Sequence, residues 1–474
     1  MTARFLWLCV VAIGFAIEAR AEDWPRFRGV NGTGVADASA LPDALDVKKN
    51  VVWRTELPPG RSSPIVVGDR VYATGLDGDR LVVLALDRAS GAIVWRRDLA
   101  RDRASRLYTG NDTASSTPAS DGEHLYVFFA DLGLISLDRS GRERWRLKLG
   151  PFDSFYGVSS SPVVHGHTVA LVCDQRRGSF AVGVDTRTGR LQWRTERRAA
   201  TSEGYATPVV HTPSGGRPQL VVSGAFRLDG YDFDTGESLW WVGDQGTYPV
   251  GSPALVGDQV FTVGTGSEVS PYPRFETMLA ELDTDKNGTL RRLEFDKNAD
   301  LKDHFGWFDA NDDGSITRAE WDHKVNESVS EHGVTSSRIG GSGDRTRSNH
   351  VWRFKKTYSY LITPLVYRDV LYLVKNGGII TSLDPLTGHV YKTGRTRDEG
   401  IDDYFSSPVA GDGKVFLVSH TGKITVLKAG RKWEVVSVGD LDEPTQATPA
   451  IADGHIYVRT HKALYSFRPA VRSR

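Results

Sequence analysis

The chain has 474 residues, 59 basic and 59 acidic side chains, and a formal net charge of zero. Nothing in that balance points toward a nucleic-acid partner or an anionic membrane surface. The length exceeds what one hydrophobic core ordinarily serves, so repeats that touch only their neighbours are expected.

Met1–Ala21 holds Arg4, an apolar run Phe5–Ile17 and the small-residue exit Ala19-Arg20-Ala21. This pattern predicts a secretory signal peptide (1–21), cleaved before Glu22 and too short to span a bilayer. Cys9 lacks the small residues of a lipoprotein box before it, so no lipid anchor is expected. The mature chain is expected in the periplasm or outside the cell, with no membrane span. It keeps only Cys173, which cannot form an internal disulfide and reads as a buried, inert thiol. Residues 22–49 form an arm, opening WPRFRGVNGTGV, without a helical hydrophobic period. Trp24 and Phe27 are its aromatic anchors, expected to dock on the wall of the main domain.

From Gly157 to Trp193 the sequence offers four short strands: Ser161–Val164, His167–Cys173, Ser179–Asp185 and Arg190–Glu196. β-branched alternation marks the strands, and Gly and Asp mark the turns. Such a meander cannot bury both faces alone and needs copies beside it. An opening signature, a small residue, Pro, then apolar residues, recurs at Pro64, Pro118, Pro162, Pro208, Pro253, Pro364, Pro408 and Pro449. At these points Pro can begin a strand without costing a ladder bond. A period of about 40–50 residues with four strands per unit reads as a β-propeller, and eight openings predict eight blades.

A closing signature agrees. Asp87, Gly91 and Trp95 recur as Asp185, Gly189, Trp193 and as Asp232, Gly236, Trp240, and one residue shorter as Asp138, Gly141, Trp145. Gly suits the positive φ of a tight hairpin, Asp bonds its amides, and the Trp face suits packing between blades. Blade five closes at Trp352 and blade seven at Trp433, while blade six has Lys392. Blade eight runs out after three strands. Its fourth is expected from Asn50–Leu57, with Trp53 in place, so residues 50–474 close into a ring and remove the open edge.

The interval between Pro253 and Pro364 is too long for one blade. It places an insert, residues 267–332, between the second and third strands of blade five. Asp283–Glu294 and Asp309–Glu320 both fit the twelve-residue calcium loop. Side-chain oxygens at positions 1, 3 and 5 are Asp283, Asp285, Asn287 and Asp309, Asn311, Asp313. Gly288 and Gly314 make the turn, the carbonyls of Thr289 and Ser315 serve at position 7, and Glu294 and Glu320 close bidentately. Helical spacing before each loop (Phe275, Leu279, Leu282; Leu301, Phe305, Phe308) completes an EF-hand pair with two calcium sites. The expected fold is therefore all-β, an eight-bladed propeller with an inserted α-helical EF-hand pair.

Loops between second and third strands emerge on the same face as the connections between blades. Those connections carry Tyr156, Tyr205, Tyr248, Tyr360 and Tyr404, with Asn111, Asp112, Asp153, Glu203, Asp244, Gln245, Asp402, Asp403 and Gln446. They predict a ligand face at the channel mouth, for a protein or for a small molecule such as a saccharide. No nucleic-acid partner is expected, and a monomer is.

The closing signature, with its fuller form at Ala85–Gly91, resembles the tryptophan-docking repeat of the pyrroloquinoline quinone (PQQ) dehydrogenases. The whole mature chain looks like the PQQ-binding-like β-propeller family. Its WPRFRG start, calcium-loop insert and ATPAIADGHIYVRTHKALYSF end resemble secreted planctomycete-type members; it is more distantly similar to BamB, an outer-membrane assembly scaffold. The resemblance implies PQQ as a cofactor. The dehydrogenases hold it with an adjacent Cys pair and a calcium bound by Glu, Asn and Asp, whereas this sequence has no adjacent Cys pair. No G-x-S-x-G, HExxH, CxxC or P-loop appears either. The function expected is a secreted or periplasmic calcium-binding, non-catalytic scaffold. The alternatives are a PQQ-dependent oxidoreductase and a BamB-like assembly scaffold.

Overall fold

The computed structural model describes residues 22–470 apart from 39, 106, 108–109, 198–202, 357 and 397–401; the expected signal peptide lies outside the described residues. Each opening proline leads directly into a short inner strand, from Ile65–Val67 after Pro64 to Ala450–Ala452 after Pro449. Blade three then continues through Thr168–Cys173 and Phe180–Asp185 to the outer strand Leu191–Glu196, an antiparallel meander in chain order. Thr168–Cys173 is buried on both faces because a blade lies against each side. Along the outer strand only Trp193 is buried. Eight such sheets make the expected eight-bladed propeller. The apolar core is divided among the seams between blades: Phe128 of blade two packs with Leu171 and Val182 of blade three, and Phe261 of blade five with Leu371 and Leu383 of blade six.

The closing tryptophans staple these seams. In every blade the pairing between third and fourth strands slips by one residue, as at Gly183/Val184 in blade three and Ala85/Leu86 in blade one. Such a bulge re-aims the side chain beside it. Trp145 thus lies on Gly189 of the next blade and donates from Nε1 to the Thr186 carbonyl at 2.9 Å. A Cβ on Gly189 would come within 2.6 Å of the ring. Trp53 on Gly91, Trp95 on Gly141, Trp193 on Gly236 and Trp352 on Gly388 repeat the contact.

Trp433 does not belong to this set, contrary to the sequence expectation. It precedes its strand, Glu434–Asp440, and turns back toward Gly394 of blade six, with the Lys392 ammonium 4.1 Å from its ring centre. The physical reason is that blade eight has no turn between third and fourth strands on which a tryptophan could dock. Those two strands come from opposite ends of the chain: Val51–Glu56 pairs with Ala463–Phe467, from Val51↔Phe467 to Glu56↔Ala463.

A second closure runs around the channel. The residue before every opening proline is Ser or Thr, and each amide donates to the hydroxyl of the next blade. The bonds run Ser63 to Thr117 (3.0 Å), Thr117 to Ser161 (3.0 Å), Ser161 to Thr207 (3.0 Å) and Thr207 to Ser252 (3.1 Å). They continue Ser252 to Thr363 (2.9 Å), Thr363 to Ser407 (3.1 Å), Ser407 to Thr448 (3.0 Å) and Thr448 back to Ser63 (2.9 Å). Each bond contributes about 0.5–1.5 kcal/mol, and the belt satisfies eight buried amides that the short inner strands leave over.

The arm corrects another expectation. Trp24 bridges to Val66 of blade one, and the Asn31 side chain bonds the backbone of Val210 in blade four at 2.7 and 3.0 Å. The Arg28 guanidinium reaches the carbonyls of Pro364 (3.3 Å) and Pro408 (2.7 Å) in blades six and seven. The arm therefore crosses the end of the central channel, and Phe27 faces the cavity instead of an outer wall.

Candidate functional site

The segment between Gln259–Gly264 and Gly333–Arg338 leaves blade five on the face that carries the connections between blades. It contains α1 (Phe275–Leu282), α2 (Arg292–Phe295), α3 (Phe305–Phe308) and α4 (Arg318–Ser328). These close around their own core, in which Phe308 stacks on Trp321 with ring centres 4.4 Å apart and Phe275, Leu290 and Ile316 pack alongside. Thr317 and Glu320 cap α4 reciprocally.

Both acidic loops share one hydrogen-bond plan. Asp283 accepts from the Gly288 amide and Asp309 from the Gly314 amide, each at 3.0 Å, which curls the loop around its first residue. Glu294 accepts from the amides of Arg291 (3.0 Å) and Thr284 (2.8 Å); Glu320 accepts from Thr317 (2.9 Å) and Ala310 (3.1 Å). Leu290 and Ile316 pair as a short bridge between the loops. The side chains of Asn287 and Asn311 bond Asp285 and Asp313, each at 2.9 Å, and the hydroxyls of Thr289 and Ser315 cap Asn287 and Asp313. One oxygen each of Asp283, Asp285 and Glu294 lies within 4.8 Å of the other two, a donor set that fits a hard divalent cation. The described carboxylates do not converge as closely in the second loop. The Arg291 amide, followed by those of Thr284 and Asp285, holds the Glu294 carboxyl at about 2. Burial raises Asp309, and the charges of Asp313 and Glu320 raise it further, a repulsion that a bound cation would relieve.

The segment roofs a cavity of about 1270 Å³ on the propeller axis. Its floor is Phe27, its waist the hydroxyl belt, and its upper wall includes Phe155, Tyr156, Tyr205, Tyr248 and Tyr360. Lys324 of α4 donates to the Tyr248 hydroxyl at 2.5 Å and pairs with Glu327 at 3.2 Å, and Trp307 meets Phe155 edge-on at 6.3 Å. On the far side Arg176 and Arg177 of blade three pair with Asp312 at 3.4 and 3.5 Å and with Asp153 at 2.7 and 2.9 Å. The insert thus spans the mouth from blade five to blade three.

Four of the five expected tyrosines reach this cavity. Tyr404 does not: it is 2% exposed in the seam between blades six and seven, and Phe405 beside it lines the cavity instead. A side chain just before an inner strand can turn either to the lumen or to the seam, and sequence cannot distinguish these. Asn111, Glu203 and Gln446 also line the cavity, whereas Asp402 bonds Thr421 and Gln245 bonds Thr262 away from it. Burial raises the Glu203 carboxyl, which accepts from the Tyr205 hydroxyl and, at 2.5 Å, from the Phe155 amide. The belt went unread in the sequence although its signal, Ser or Thr before every opening proline, was complete. The roof residues Trp307, Lys324 and Glu327 carried no motif.

The family whose model matches is described as outer membrane protein assembly factor BamB, over residues 35–204 and 342–470, on either side of the insert. Among solved structures, the chain is similar to BamB from Moraxella catarrhalis, at 13% identity and TM-score 0.55, covering 89% of this chain and 99% of that one. It is similar to a quinohemoprotein alcohol dehydrogenase from Comamonas testosteroni, at 13% identity and TM-score 0.60, covering 95% and 81%. A europium-containing methanol dehydrogenase follows at 10% identity and TM-score 0.50, covering 92% and 89%. No curated protein matches the chain. At these identities the solved structures speak for the fold alone.

Proposed function

The chain belongs to the PQQ-type β-propeller family of outer membrane protein assembly factor BamB, and we propose that it is a secreted or periplasmic, calcium-binding, non-catalytic scaffold. The observation that carries this reading is the roofed axial cavity, walled by aromatic rings and topped by a segment with two calcium-type loops. Asp283, Asp285, Asn287, Glu294 and the Thr289 carbonyl would hold one calcium. Asp309, Asn311, Asp313, Glu320 and the Ser315 carbonyl would hold the other. The ion would fix the roof by neutralising carboxylates that repel one another.

Flat apolar faces beside hydroxyls, Glu203 and Lys324 suit a saccharide, whose rings stack while its hydroxyls exchange hydrogen bonds. The chain acts as a monomer in this reading. Among the described residues no helix is long and apolar enough to cross a membrane. Trp307 lines the cavity and would sense a ligand stacked beside it. Titrating calcium-loaded protein with neutral oligosaccharides should change its fluorescence saturably. No response to any oligosaccharide or peptide, with the wild-type fold intact, would remove this reading.

The likeness to quinoprotein dehydrogenases supports a second reading, a PQQ-dependent oxidoreductase. The residues present do not fit that cofactor. The only described thiol, Cys173, is buried in a seam, and the metal-spaced acids lie in the insert, off the channel floor. Tight PQQ binding with dye-linked alcohol oxidation would establish this second reading in spite of that donor set.

A further inference from the structure

We propose that the hydroxyl belt at the channel waist is a binding site for an oxyanion, the carboxylate, sulfate or phosphate group of a molecule entering from the mouth. Every belt hydroxyl accepts one amide hydrogen bond, and none has an acceptor for its own hydrogen among the described residues. All eight side chains line the cavity and are between 1 and 7% exposed. A hydroxyl that has accepted keeps one hydrogen to give, and buried donors are rarely left unmet. The belt therefore presents a closed circle of donors to the lumen. Two or three neighbouring hydroxyls suffice to hold one oxyanion, with water on the remainder, and such bonds are strengthened by the charge.

Hydroxyl oxygens also hold hydrated cations, and the charge beneath the belt decides between the two. Arg28 bonds the carbonyls of Pro364 and Pro408, the residues following belt members Thr363 and Ser407, and otherwise only the carbonyls of Gly32 and Thr33. Arg26 bonds Asn31. Neither guanidinium has an ion pair among the described residues, and burial alone pulls them down, to about 9 for Arg28 and about 10 for Arg26. The closed end of the channel thus carries two desolvated positive charges with no carboxylate to neutralise them. The acids that line the cavity, Glu203, Glu320 and Glu327, stand at its upper end, in a connection between blades and in the insert. In a medium of low polarity that field draws an anion to the belt and repels a cation.

The belt site goes beyond the saccharide reading. A neutral saccharide at the aromatic rings with no anion below would leave the scaffold intact and remove only the belt site. The test is calorimetric titration of the mature full chain with sodium sulfate, sodium phosphate, sodium glucuronate and, at equal ionic strength, sodium chloride and glucose. The three oxyanions are expected to bind saturably and chloride and glucose not to. Glucuronate binding at least about tenfold tighter than sulfate identifies the acid group of an organic ligand as the source; equal affinities identify a free inorganic anion. Ser407→Ala should weaken sulfate binding about tenfold or more, the loss of one hydrogen bond to a charged partner, and Ser407→Thr should retain it.

Saturable binding of sodium or potassium, no response to any oxyanion, or unchanged affinity in a folded Ser407→Ala variant overturns the proposal. Since that variant also frees the Thr363 amide, selenate soaked into wild-type crystals gives an independent reading. Selenium within hydrogen-bond reach of the belt supports the site, and selenium only elsewhere overturns it.

Discussion

Ring closure depends on a strand that arrives from the other end of the chain, so Trp53→Ala should cost at least as much as the same truncation in an inner seam and, unlike it, should cause aggregation. Trp53 is 7% exposed, lies on Gly91, and donates from Nε1 to the Arg88 carbonyl at 3.0 Å. Its ring also approaches Tyr457 at 5.9 Å. Truncating a buried aromatic of this kind costs about 3–5 kcal/mol, a large fraction of the roughly 5–15 kcal/mol that a folded domain has in total. Trp145→Ala removes an equivalent contact, with its own bond to Thr186 at 2.9 Å, but each strand of that seam remains tied to its blade by a short turn. Loosening Val51–Glu56 instead exposes the edge of Ala463–Phe467, a template for association. Urea unfolding followed by fluorescence, with light scattering at each step, compares the two variants. Trp53→Ala is expected to lose at least as much stability and to aggregate, and Trp145→Ala to lose stability without aggregating. Equal losses with no aggregation in either, or a loss below about 1 kcal/mol for Trp53→Ala, would refute closure by this strand.

Gly189→Ala should destabilise by more than Gly166→Ala in the same urea assay. Both have positive φ, 71° and 56°, but only at Gly189 would the new methyl meet an indole, at 2.6 Å, whereas nothing lies within 4 Å of a Cβ at Gly166. Acid should loosen the calcium-free insert before the ring. The Glu294 carboxyl is held at about 2 against an ordinary 4.5, so what it lends is complete above 4.5 and is lost as pH falls from there toward 2; the near-ultraviolet signal of Trp321 should follow that window. Lys324→Ala should speed amide exchange across α3 and α4 while leaving the blade strands protected, because it cuts the roof's bond to Tyr248 and, within α4, the pair with Glu327; equal protection in wild type and variant would contradict a roof held by that lysine.

Period and punctuation carried most of the architecture. The spacing of the opening prolines and the Asp-Gly-Trp closings are local patterns with a mechanical reason, and the fold repeats them blade by blade. Trp433 misled because residue type alone does not reveal that the next blade lacks the turn on which a tryptophan docks. The arm misled for a related reason. Its Arg28 and Asn31 have positive φ and bond carbonyls and an amide of three blades that are remote in sequence, and no hydrophobic period records such contacts. At the mouth, Tyr156 and Tyr404 occupy the same kind of position, yet one faces the lumen and the other a seam. That choice is made by neighbouring blades. The roof likewise exists only once α4 meets Tyr248.

The most direct test is calcium titration and scanning calorimetry on the wild type and on a Glu294→Gln/Glu320→Gln variant. An insert with its own core around Phe308 and Trp321, entering and leaving through one loop of blade five, should order with calcium without controlling the ring. The wild type is expected to bind two calcium ions at ~10⁻⁴–10⁻³ M, the range of extracellular modules. The variant should lose both while its main unfolding transition stays where it was. Global unfolding of the wild type on adding a chelator would contradict this, and would mean that the insert holds blade five to its neighbours.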